Sequence, residues 1–143
     1  MVMQRLHGRY GPGVAIYDIS TCAFALLECL HHQDLMVLVD ACSKGGAPGE
    51  IFVTSPDLEA PLQDMPTLHQ VGPVETLMVA RHLYPQTLPK AISLVLIETE
   101  GLEEGALESV CQQAVSTVDQ QIAPLFQGGP PTPEMGRAQA KSL

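Results

Sequence analysis

The chain has 143 residues, 45% of them hydrophobic and none of them Trp, which is the length of one ordinary domain with an aliphatic core. Seven basic residues against sixteen acidic ones give a formal charge of −9. That balance argues against a nucleic-acid partner, whose phosphates need a basic patch, and against docking on an anionic membrane.

Met1–Tyr10 carries Arg5, His7 and Arg9 and has no apolar signal core. Val14-Ala15-Ile16-Tyr17, after Gly11-Pro12-Gly13, reads as a strand ending at Asp18. Ser20-Thr21 is a plausible helix N-cap. Ala23, Phe24, Leu26, Leu27 and Leu30 follow at helical spacing, which predicts a helix over about 21–32. His31 and His32 are adjacent, so their rings point about 100° apart on a helix and cannot chelate from one face. They read as its C-terminal turn, where imidazole suits the dipole. His7 and His82 have no evident partner in the sequence.

Leu35–Val39 is a continuous apolar run, far too short to span a bilayer, and ends at Asp40. A strand without polar alternation is covered on both faces, as in a parallel sheet. Ser43–Gly49 is a Gly-rich loop, and Ile51–Thr54 is the next strand. Residues 55–68, with Pro56, Pro61 and Pro66, form a long irregular connection. Pro73 opens a helix to about Tyr84, and Pro85 and Pro89 block its continuation. Ile92–Ile97 is a buried-type strand ending at Glu98. Leu107–Ile122 is the last helix, with Val110, Cys111, Ala114, Val115, Val118 and Ile122 as its apolar stripe. Residues 1–126 thus form a single α/β domain, and the polar, Pro- and Gly-rich stretch 127–143 is expected to be a disordered tail.

The four cysteines, Cys22, Cys29, Cys42 and Cys111, show no C-x-x-C spacing, so neither a zinc knuckle nor a thioredoxin-type site is expected. Cys29 and Cys111 read as buried small hydrophobes, which suits a reducing, cytoplasmic location. Strand-ending carboxylates at Asp18, Asp40 and Glu98 lie where open α/β sheets bind ligands. Asp40 serves equally as a turn starter. His69, in Thr67-Leu68-His69-Gln70, pairs in kind with a carboxylate for a borderline metal such as nickel or zinc, but a lone His before a helix is also an ordinary cap. No nucleophile elbow, Walker loop, dinucleotide fingerprint or H-E-x-x-H helix is present, which counts against a nucleotide module.

Four segments together resemble the hydrogenase maturation proteases. Val37–Asp40 with the loop to Gly49 looks like that family's strand, aspartate and Gly-Pro-Gly loop. Thr67–Gln70 resembles its Ser-x-His-Gln segment. Tyr17–Thr21 is similar to its Asp-x-Gly-Thr turn, with Ser20 in place of glycine. Ile97–Glu100 resembles its Gln/Glu-Pro-Glu turn, with Thr99 in place of proline.

The resemblance implies a three-layer α/β/α fold with a mostly parallel sheet, in a phosphorylase/hydrolase-like order 2-1-3-5-4 and with strand 4 antiparallel. It implies an endopeptidase that removes the C-terminal extension of a nickel–iron hydrogenase large-subunit precursor once nickel is in place. The nickel is carried by the substrate, and Asp40 and His69 correspond to two of the residues that contact it. Catalytic and substrate-binding residues are not assigned. The family's first strand and its Gly-Asn-x-Leu-x-x-Asp-Glu/Asp-Gly motif, with the first acidic ligand, have no counterpart here. The strands flanking that gap are expected to close up, recruit another segment or leave the domain unstable. The alternative is a truncated or degenerate non-catalytic homologue that binds a hydrogenase subunit or a maturation factor.

Overall fold

A computed structural model describes residues 1–19, 22–60, 71–126 and the backbone of 141–142. Its elements are α1 (Val2–Leu6), β1 (Tyr17–Asp18), β2 (Met36–Cys42), β3 (Ile51–Thr54), α2 (Pro73–Leu83), β4 (Ile92–Glu98), α3 (Leu107–Ile122) and β5 (Lys141–Ser142). They divide into two compact units, one of residues 1–16, 37–54 and 93–140, the other of 17–36, 55–92 and 141–143.

The first unit is built on a three-stranded sheet in the order β2-β4-β3. Met36 N–H donates to Ala91 O at 3.0 Å and Thr99 N–H to Cys42 O at 3.1 Å, so β2 and β4 start together, end together and run parallel. β3 pairs antiparallel with β4, from Ile51 opposite Ile97 to Thr54 opposite Leu94. β4 is the central strand and the most buried, as a continuous apolar sequence requires. One sheet face carries Val39, Ile51 and Ile97, which pack with Val110 and Ala114 of α3, Leu102 and Val2. On that face Ser93 Oγ donates to Gln121 Oε1 at 2.9 Å, satisfying a buried hydroxyl.

The segment after α1 is fastened to α3 by Asp119. Its carboxylate accepts Arg9 Nε at 3.0 Å and the Tyr10 hydroxyl at 2.7 Å. Arg9 holds Asp119 below the usual carboxylate range, while burial and the Asp119 charge push the Tyr10 hydroxyl up.

In the second unit α2 packs on a 3₁₀ helix, Ala23–Cys29, around buried Leu26, Cys29, Leu77, Met78 and Ala80. Pro73 sits at the first position of α2, and Glu75 reaches back to accept the Gly72 N–H at 3.0 Å. β1 pairs parallel with β5, Tyr17 beside Lys141 and Asp18 beside Ser142.

The mixed α/β class is as expected, and β2-β4-β3 with antiparallel β3 matches the 3-5-4 part of the expected order. Four expectations are corrected. The strand predicted from Val14 is only Tyr17–Asp18, because Val14–Ile16 have no neighbouring strand among the described residues to complete a ladder. The helix predicted over 21–32 is the shorter 3₁₀ helix. Leu30 is extended beyond it, and the Gln33 side chain donates to Cys29 O at 2.8 Å. His31 and His32 therefore lie past the helix, with His32 in the left-handed region (φ 54°) and its Nδ1 3.0 Å from Leu88 O. His82 has a partner after all, since its Nδ1 lies 2.8 Å from Met78 O, one turn back on α2. Of the expected tail only Lys141 and Ser142 are described; the rest lies outside the described residues. No described helix is long and apolar enough to cross a membrane.

Candidate functional site

Asp40 is where the sequence placed it, near the end of β2 and exposed, with its Oδ1 accepting the Ala41 N–H at 2.8 Å. The parallel register puts Cys42 beside Glu98 and Asp40 beside Leu96. Side chains alternate along a strand, so Asp40, Cys42 and Glu98 share one face of the sheet, opposite the face that packs on α3.

Two of these groups have fates the sequence did not disclose. Glu98 is fully buried, 0% exposed. Its Oε2 accepts the backbone N–H of Lys44 at 2.7 Å and of Gly46 at 3.2 Å, and its Oε1 accepts that of Glu100 at 3.1 Å. These amides, that of Lys44 foremost, hold the carboxyl below the usual range against the opposing effect of burial. Its backbone takes part as well, with Gly49 N–H donating to Glu98 O and Glu98 N–H to Glu50 O, both at 2.9 Å. The carboxylate is thus a brace for the loop 43–49. Cys42 is half-buried, and its thiol is pushed up by lost solvation and then by the charges of Glu98 and Asp40. A raised thiol is a poor nucleophile at neutral pH.

The loop's glycines follow from this geometry. A Cβ on Gly46 would stand 2.6 Å from the Phe52 ring and 2.7 Å from Glu50 Oε2. Gly49 has φ +82°, and a Cβ there would stand 2.6 Å from Val110 Cγ2. The Lys44 ammonium lies 6.0 Å from the Phe52 ring centroid. Ser43 Oγ donates to Glu100 Oε2 at 2.5 Å and Thr99 Oγ1 to Cys42 O at 3.3 Å, so the turns after β2 and β4 are tied to each other.

His69 lies outside the described residues. Asp18 is exposed at the end of β1 in the second unit. Among the described residues no group of three His, Cys, Asp or Glu side chains is arranged to hold a metal ion. The carboxyl edge of the sheet therefore offers Asp40 as its open carboxylate, next to a braced loop, while Glu98 is occupied by amides and Glu100 by Ser43. The signal for the brace was a strand-ending acid directly after an apolar run, in a chain with a Gly-rich loop. Only the fold shows that the loop turns back onto it.

The family model of hydrogenase maturation proteases (HycI) matches residues 1–125. Two solved structures from Escherichia coli are similar in fold. One is described as the hydrogenase maturating endopeptidase HybD, 25% identical with a TM-score of 0.70. The other is the solution structure of an endopeptidase, 26% identical with a TM-score of 0.69. Each likeness covers 91% of this chain and 85% of the other. No curated protein sequence matches the chain. With the family match spanning nearly all of the described fold, the chain belongs to the hydrogenase maturation protease family.

Proposed function

We propose that the protein is the endopeptidase that removes the C-terminal extension from a nickel–iron hydrogenase large-subunit precursor after nickel insertion. The observation that carries this reading is the exposed Asp40 carboxylate at the carboxyl edge of the sheet in a chain of this family. Nickel belongs to the substrate. Asp40, together with His69, supplies an oxygen and a nitrogen donor, a pair suited to a borderline divalent metal. Contact with that nickel orients the precursor, so the scissile peptide is presented at fixed geometry and its carbonyl is polarised. Water then adds hydroxide to the carbonyl carbon and a proton to the departing amine as the C–N bond breaks. The precursor meets the enzyme in the cytoplasm.

A second reading, a homologue that binds the precursor without cutting it, is favoured by one observation. Glu98 is committed to backbone amides and so is not free to contact nickel alongside Asp40.

The test is incubation of nickel-loaded precursor with the protein while the precursor's mass is followed. Loss of a C-terminal peptide, abolished by Asp40→Asn and by His69→Ala, is expected. An unchanged mass in the presence of folded protein that still binds the precursor would select the second reading.

A further inference from the structure

Glu98 is a buried charge with no cation paired to it among the described residues. None of the described ion pairs includes it, and its carboxylate oxygens are met by main-chain N–H groups of Lys44, Gly46 and Glu100. A charge buried in this way is expensive unless every bond to it is made. An anionic acceptor also makes stronger bonds to amides than a neutral one.

The loop that carries the Lys44 and Gly46 amides starts three residues after Asp40. Its other side is closed by Phe52, against which Gly46 packs with no room for a methyl group. Asp40 and Glu98 lie on the same face of adjacent parallel strands, so the Glu98 charge also favours a cation approaching Asp40.

We infer that Glu98 is a positioning residue for recognition of the substrate's nickel: its carboxylate holds the loop 43–49 in place and adds negative charge behind Asp40, without touching the metal. The inference rests on the proposed role of Asp40.

The experiment compares the wild-type protein with E98Q, G46A and D40N. Binding to nickel-loaded and to nickel-free precursor is measured for each, with melting temperature and amide hydrogen exchange on the free protein. E98Q keeps the size of the side chain but presents an NH₂ group to amides that need an acceptor. The Lys44 and Gly46 amides are expected to exchange faster. Affinity for nickel-loaded precursor should fall roughly 10- to 100-fold, as for other groups that support a metal contact from behind, while affinity for nickel-free precursor is unchanged. A purely structural role would lower both affinities together.

G46A reaches the same loop from the Phe52 side and leaves Glu98 intact. It decides the matter if E98Q does not fold, and the same nickel-specific loss is expected of it. If D40N removes the nickel-dependent part of binding while E98Q and G46A keep it, with the Lys44 and Gly46 amides freed, the positioning role is overturned and the proposed function stands. If D40N itself has no effect on nickel-dependent binding, both fall.

Discussion

Asp119 gathers two donors from one turn of chain, and the consequences of losing each differ. Tyr10 is 5% exposed, and its hydroxyl bonds a charged acceptor at 2.7 Å. Tyr10→Phe keeps the ring packed but removes that bond, so a loss of about 1.5–3 kcal/mol is expected in urea unfolding. Arg9 lowers the pKa of Asp119, so the folded state binds the Asp119 proton less readily than the unfolded chain. This contribution to stability is complete above the unfolded aspartate value of about 3.9 and disappears as the pH falls through the lower folded value. Melting curves between pH 5 and pH 2 should show this acid-side loss, and Asp119→Asn should flatten it. An equally steep loss in Asp119→Asn would place the acid sensitivity elsewhere. Gly49 is a separate case of two penalties at one position. Gly49→Ala must hold a left-handed residue, at about 1–2 kcal/mol, and must also displace Val110, so a cost above that range is expected in the same measurement.

The start of α2 shows how local chemistry defines an element. Gly72 has no side chain with which to cap, so the one side-chain cap is Glu75 reaching back to the Gly72 N–H, with Thr76 Oγ1 donating to Gly72 O at 3.0 Å. Glu75→Ala should therefore cost about 0.3–1.5 kcal/mol, read as a lower melting temperature with unchanged helix content below the transition. Signals of this kind are short in range, which is why the elements that depend on them were legible in the sequence. Pro73, the stripe from Val110 to Ile122 and the apolar run of β4 define their elements without reference to any distant residue. β1 was overextended because strand length depends on a neighbour, and the neighbour is Lys141–Ser142, at the far end of the chain. The same limit applies to the site. Asp40 could be singled out as an acid closing a buried strand, but whether Glu98 was open or occupied depended on the path of the loop 43–49 after it left β2. Nothing in Lys44-Gly45-Gly46 announces that path, since Gly-rich loops close on ligands and on their own protein by the same amide geometry.

For the whole molecule the decisive electrostatic fact is the excess of acid, sixteen acidic residues against seven basic ones. The described cations are mostly spent on pairs: Arg5–Glu108, Arg9–Asp119, Arg81–Glu59 and Lys90–Asp34. Three of these pairs are well exposed on both sides, and exposed pairs contribute about 0–1 kcal/mol each. Salt screens these attractions, and it also screens the repulsion among the unpaired carboxylates. The Debye length shortens from about 10 Å at 0.1 M to about 3 Å at 1 M, so longer-range interactions are lost first. Pair contacts are short and the repulsion of a net charge of −9 is spread over the surface, so the repulsion is weakened more. Sodium chloride between 0.05 and 0.5 M is therefore expected to stabilise the fold. The gain should be about 1 kcal/mol at most, or roughly 2–4 °C in melting temperature for a domain of this size. A melting temperature that falls across that range would mean that the ion pairs outweigh the net charge. The same argument bears on the site, because screening reduces the pull of Asp40 and Glu98 on an approaching cation. Affinity for nickel-loaded precursor should thus weaken with salt over the concentrations that raise the melting temperature, and the opposite signs separate recognition from stability.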